Sequence, residues 1–140
     1  MIEYSTKKKG GFTLIELLVV IAIIGILATI VLINLNKARE KAKDAAIKAA
    51  LSELRATAEM YYDENNSTYT DLCDSADVGR ISDNITENGK TLNCEDSGTQ
   101  YCGEVELHGG DTTVYWCVDY TGVSEGNTAV SCSDTNVACD

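Results

Sequence analysis

Glu16 is the only charged side chain in the run FTLIELLVVIAIIGILATIVLI, residues 12 to 33. A charged group inside a membrane helix costs about 2.5 to 3.5 kcal/mol at the centre and less near an end, so this carboxylate is expected to meet a positive charge or a hydrogen-bond donor. The second reactive set is six cysteines, Cys73, Cys94, Cys102, Cys117, Cys132 and Cys139, all placed after the apolar run. That distribution predicts disulfides in an oxidising compartment. No two cysteines are spaced C-x-x-C and His108 is the single histidine, so no metal site and no cofactor is expected. His108 and Asp111 flank the Gly109-Gly110 pair, but no nucleophile, base and orienting group assemble around them. The chain therefore does not read as an enzyme.

These groups need elements to hold them. The 22 residues from Phe12 to Ile33 span roughly 33 Å as a helix, enough to cross a bilayer core. Lys7, Lys8 and Lys9 precede the run, and basic flanks stay on the cytoplasmic side, which puts the cysteine-bearing end outside. The apolar run continues without a turn signal into NLNKAREKAKDAAIKAALSELRATAEMYY. There Ile47, Leu51, Leu54, Ala58 and Tyr61 recur at helical spacing, one apolar face along an otherwise polar helix. A simple anchor needs only the first half; the amphipathic half asks for a domain packed along it.

Charge is divided as sharply as hydrophobicity. The net charge is -11, yet from Asp63 onward sixteen acids face only Arg80 and Lys90, a net of -14, while residues 1–11 carry +2. A head this acidic repels nucleic-acid phosphates and anionic lipids, so direct binding of nucleic acid is not expected.

The segment KKKGGFTLIELLVVIAIIGILA resembles the processing and filament signature of type IV pilins and type II secretion pseudopilins. The resemblance is dense over residues 7 to 33 and diffuse afterwards. It implies that residues 1–11 are a leader removed by a prepilin peptidase between Gly11 and Phe12, and that the new terminus of Phe12 is methylated. It implies further that Glu16 serves assembly by neutralising the Phe12 amine of an adjacent subunit. Thr13-Leu-Ile-Glu16 also fits a helix-opening capping box, and the two roles are compatible before and after docking. Ala22, Gly25 and Ala28 form a small-residue stripe that lets helices approach closely. Some members of the family carry a proline in this helix; this chain has none, which makes Gly25 the expected weak point. Some pseudopilins hold calcium through C-terminal acids, and Asp119, Glu125 and Asp134 are available here. No EF-hand spacing occurs, and solvated carboxylates explain the same residues.

After Tyr62 the composition shifts to Asp, Asn, Ser, Thr and Gly, and residues 63 to about 100 read as a long connection with short elements at most. The N-x-S/T patterns at Asn65, Asn66 and Asn84 are short enough to arise by chance. Tyr61, Tyr62 and Tyr69 read as core packing rather than an exposed aromatic cluster. YCGEVELHGGDTTVYWCVD reads as a hairpin turning at Gly109-Gly110, which sets Cys102 directly opposite Cys117, within disulfide reach. A two-residue register shift breaks that pairing. Cys132 with Cys139 closes a short loop that resembles the disulfide-bounded C-terminal loop of many pilins, and Cys73 with Cys94 remains. A third strand around Thr128 to Cys132 is expected to complete the sheet.

The expected fold is α+β: a long N-terminal helix, transmembrane in its first half, packed by its C-terminal half on a small antiparallel sheet stapled by disulfides. The expected segments are a leader (1–11), a transmembrane and filament-core helix (12–33), an amphipathic helix (34–62) and an acidic, cysteine-rich head (63–140). The expected function is a pilin or pseudopilin, a structural subunit of a type IV pilus-like filament. Its partners are other copies of itself, the prepilin peptidase, a membrane assembly platform and minor pilins. It starts as a single-pass inner-membrane protein with the head outside and ends in an extracellular pilus or periplasmic pseudopilus. The alternative is a membrane-anchored binding module that does not polymerise.

Overall fold

The unbroken helical pattern after Phe12 folds as one helix, α1, over Leu14–Glu64. The computed structural model describes residues 11–109, 112–133 and 137–139. The basic leader residues, Gly110, Asp111 and Asp134 lie outside the described residues. The chain divides into two units, residues 1–36 and 37–140.

In the first unit the large apolar side chains of α1, from Leu14 to Leu35, are exposed. Among the described residues α1 is the one helix long and apolar enough to cross a membrane.

In the second unit α1 turns one face inward. Ile47, Ala50, Leu51, Leu54 and Ala58 are buried, which places the apolar stripe in the core, with Tyr61 half-buried beside it. The helix stops because Asn66 and Ser67 take left-handed backbone angles (φ 57° and 59°) and the Ser67 N–H donates back to the Tyr62 carbonyl at 3.0 Å.

The stretch 63 to 100 holds two elements that its polar composition hides. Helix α2, Ala76–Glu87, opens on Ser75, whose hydroxyl accepts from the Val78 N–H at 3.3 Å, and closes on Gly89 at φ 83°. It buries Val78, Ile81 and Ile85 in the same core. Strand β1, Asn93–Asp96, has no apolar alternation and exists by pairing with its neighbour. Asp96 ties the preceding loop to it, its two carboxylate oxygens accepting from the Asp71 and Cys73 N–H groups at 3.1 and 2.8 Å.

The sheet is an antiparallel meander, β1-β2-β3-β4, with β2 at Tyr101–Glu106, β3 at Tyr115–Asp119 and β4 at Ser124–Asn127. The fourth strand thus precedes the expected Thr128 to Cys132. The reason is local: one Asp119 carboxylate oxygen accepts from the Thr121 and Val123 N–H groups and the Thr121 hydroxyl, a tight reversal that starts the returning strand at Ser124.

The β2–β3 hairpin corrects the expected turn. Cys102 pairs with Asp119 and Glu104 with Cys117, two residues away from the register set by a Gly109-Gly110 turn. The paired strands end at Glu106 and begin again at Tyr115, and just past them the Leu107 N–H donates to the Val114 carbonyl at 2.8 Å. Asp44 on α1 holds the next two residues, accepting from the His108 and Gly109 N–H groups at 2.7 and 3.2 Å. Because the shift is even, each side chain keeps its face. Tyr101, Val105 and Val118 belong to the core cluster with the α1 stripe, while Cys102, Glu104, Cys117 and Asp119 lie on the other face.

The same shift corrects two of the three disulfides. Cys102 and Cys117 become diagonal neighbours, roughly 7 to 8 Å apart at their α-carbons and beyond disulfide reach. Cys102 instead joins Cys132, and Cys117 joins Cys139, so the expected Cys102–Cys117 and Cys132–Cys139 pairs do not form. Cys73 joins Cys94 as expected. The fold is the α+β arrangement of a long helix on a small stapled antiparallel sheet.

Candidate functional site

At the start of α1, Phe12 is 82% exposed, and a methyl group added at Gly11 beside it would touch nothing within 4 Å among the described residues. Glu16 folds back on Thr13: one carboxylate oxygen accepts from the Thr13 N–H and from its hydroxyl, both at 2.8 Å, and the Thr13 hydroxyl accepts from the Glu16 N–H at 3.3 Å. This is a reciprocal capping box, which satisfies two donors that a helix start leaves open. No bond among the described residues uses the second carboxylate oxygen. A carboxylate held one turn from the Phe12 junction is placed to receive a cation without giving up the cap.

Ala22, Gly25 and Ala28 are exposed on α1, and a methyl group added at Gly25 would touch nothing within 4 Å. The helix runs through Gly25 unbroken, and the Thr29 hydroxyl donates to the Gly25 carbonyl at 3.0 Å. Exposed apolar surface on this scale is not stable in water; lipid or other helices must cover it.

The head carries a second arrangement, on the outer face of its sheet. Glu104 and Asp119 are 1% and 2% exposed, buried by the C-terminal segment that Cys132 and Cys139 clip down. One Glu104 oxygen accepts from the Ser131 N–H and hydroxyl at 3.1 and 3.0 Å, and one Asp119 oxygen accepts from the Cys139 N–H at 2.9 Å. Asn93 on β1 adds a bond to the Cys132 carbonyl at 2.7 Å. A buried carboxylate is tolerable when it accepts several hydrogen bonds, and these bonds fix where the segment lies. Glu104 does not stand out in the sequence, since alternation with Tyr101, Gly103 and Val105 marks it as solvent-facing, and Asp119 reads there as a calcium candidate or a solvated carboxylate.

Asp119 is therefore occupied within the protein, and Glu125 is exposed on β4. Among the described residues no group of three acids, histidines or cysteines is arranged to hold a metal ion. His108 is tied at both ends, its backbone to Asp44 and its Nε2 to the Asn88 carbonyl at 2.7 Å. Tyr62, Tyr69 and Tyr101 touch in sequence as tilted pairs, with ring centres 4.6 and 4.9 Å apart. Burial pushes the Tyr69 hydroxyl up to about 12, with the nearby Glu59 carboxylate adding to the shift. The Tyr61 hydroxyl donates to the Thr70 carbonyl at 2.9 Å. These rings pack the core edge.

Comparison with known proteins converges on the first of these features. The family described as "Prokaryotic N-terminal methylation motif" matches residues 6–32. The chain is 37% identical over 123 residues to the "Type IV wide pilus major component PilA4" of Thermus thermophilus, covering 88% of this chain and 92% of that one. It is 31% identical over 105 residues to the "Type II secretion system core protein G" of Escherichia coli, covering 69% and 72%. Over 65 residues it is 39% identical to the "Type IV major pilin protein PilA" of Myxococcus xanthus, covering 46% of this chain and 29% of that one. No solved structure matches the chain significantly.

Proposed function

The chain belongs to the family of type IV pilins and type II secretion pseudopilins, the structural subunits of filaments, and from that premise we propose how it becomes one. A prepilin peptidase removes residues 1–11 by cutting between Gly11 and Phe12, and the new terminus of Phe12 is methylated. Cutting does two things at once. It removes the net +2 of the leader, and it creates an amine one helical turn from Glu16.

Glu16 then accepts the Phe12 amine of an adjacent subunit docking at the base of the filament. In a low-dielectric setting such a pair is far stronger than at a water-exposed surface, so a subunit lacking either charge is disfavoured. The capping box supports this reading, because it leaves one carboxylate oxygen for the incoming cation. Ala22, Gly25 and Ala28 allow close approach of neighbouring helices, and residues 12–33 exchange lipid for those helices.

Before assembly the protein is a single-pass inner-membrane protein with residues 63–140 outside, served by an assembly platform and minor pilins. Afterwards it is part of an extracellular pilus or a periplasmic pseudopilus. The observation that carries the proposal is the lone carboxylate at the start of an exposed apolar helix, inside a matched methylation motif. N-terminal sequencing of the protein from its own cells tests it. A chain beginning at methylated Phe12 is expected; retention of residues 1–11 would instead mark an anchored module that does not polymerise.

A further inference from the structure

The second unit exposes few large apolar side chains: among the described residues only Met60 at 64% and Val130 at 57%. Met60 lies on the α1 wall of a groove between α1 and α2, a cavity of about 240 Å³. Glu53 and Glu64 flank it along α1, and Asp77 and Arg80, paired with each other, face it from α2. Neither Glu53 nor Glu64 has an ion-pair partner among the described residues.

The same unit begins with the opposite charge. Lys37, Arg39 and Lys41 are exposed on α1 and also lack ion-pair partners among the described residues. Lys48 further along is already placed over the Trp116 ring at 3.9 Å. Thus one helix carries a basic stretch, 37–41, with a net charge of +2 after Glu40 is counted and, 12 to 27 residues later, an acidic groove centred on an exposed thioether.

We propose that this groove receives the Lys37 to Lys41 stretch of a second copy of the chain. The inference rests on the filament reading and names a contact within it. Opposite charges complement, and the aliphatic stems of lysine and arginine pack well on a flexible methionine. The two patches occupy different places on one molecule, so the contact is head-to-tail, the kind of contact from which a helical filament is built. Lys37 and Glu53 are sixteen residues apart, which sets an axial stagger of roughly 24 Å between the paired helices.

The test uses the full-length chain in cells that carry its own assembly machinery. A photo-crosslinking residue at Met60 is expected to capture residues 37–41 of a second copy in filaments; capture confined to other residues overturns the proposal. The double charge reversal Glu53→Lys with Glu64→Lys is expected to cut filament yield about ten-fold or more, because like charges then face each other. Adding Lys37→Glu, Arg39→Glu and Lys41→Glu to it is expected to restore the yield, which also shows that the reversed head folds. Unchanged yield from the double reversal overturns the docking contact while leaving the filament reading intact. Loss of yield from the basic triple that the acidic reversal fails to rescue assigns the basic stretch to lipid headgroups, and overturns it as well. A wild-type chain that never enters filaments removes the filament reading itself.

Discussion

Gly103 lies directly beneath Leu54: a β-carbon built at position 103 would come within 2.3 Å of the Leu54 Cδ2 methyl. Leu54 is fully buried, so its methyl group would have to shift within a packed core, and Leu51 Cδ2 already lies 3.7 Å from the same point. The sheet meets α1 this closely only because β2 has no side chain there.

Gly103→Ala is accordingly expected to destabilise the head by about 1 to 3 kcal/mol through overpacking. Thermal and chemical denaturation of the detergent-solubilised chain measures this. A midpoint equal to that of the wild type would show that Leu54 can yield.

The crossed disulfides predict a specific peptide map. Under non-reducing conditions Cys102 and Cys132 should be recovered in one linked peptide, and Cys117 and Cys139 in another. The double variant Cys117→Ser with Cys139→Ser is expected to lose roughly 2 to 4 kcal/mol, since the bridge limits the freedom of the unfolded chain. Recovery of a Cys102–Cys117 peptide would contradict the register of the hairpin.

Alkaline unfolding follows from the tyrosines. The Tyr69 hydroxyl is raised from 10.0 to about 12 in the folded chain, and burial raises that of Tyr101 too. The unfolded chain therefore releases these protons first. The contribution of Tyr69 is intact below pH 10.0 and is lost as the pH rises through about 12. Tyr69→Phe is expected to show a shallower fall in denaturation midpoint across that window. An identical slope would remove Tyr69 as a cause.

Glu16→Ala should leave leader removal intact and abolish incorporation into filaments. Thr13→Ala separates the two roles of the carboxylate, because it removes the cap, worth about 1 kcal/mol to the helix, but keeps the charge. It is expected to polymerise. Normal filaments from Glu16→Ala would leave the capping box as the only role of that side chain.

The sequence was most informative where periodicity and burial coincide. Ile47, Leu51, Leu54 and Ala58 line the core because a helix with one apolar face has one way to hide it. Strand faces survived an error in the turn, because a two-residue slip preserves parity. The turn itself was misleading: Gly109-Gly110 is a strong local signal, but Asp44, sixty-four residues from His108, holds the loop differently. Helix α2 had a legible mark, Ser75 followed by Val78, Ile81 and Ile85, outweighed by the polar residues around it. The outer face of the sheet was hidden for a deeper reason. In the sequence Cys102 and Cys117 read as partners of each other and Asp119 as a calcium candidate or solvated acid, and only the folded C-terminal segment shows that they and Glu104 are covered.

The two outer bridges also interleave along the chain, Cys102 and Cys117 each reaching past the other to Cys132 and Cys139. A protease that cuts one peptide bond anywhere between residues 102 and 139 therefore leaves both pieces covalently joined by at least one bridge. With the sequential alternative, Cys102–Cys117 and Cys132–Cys139, a single cut in the exposed stretch 128–130 would release the end of the chain. Crossed bridges therefore turn such a cut from a loss of mass into a nick.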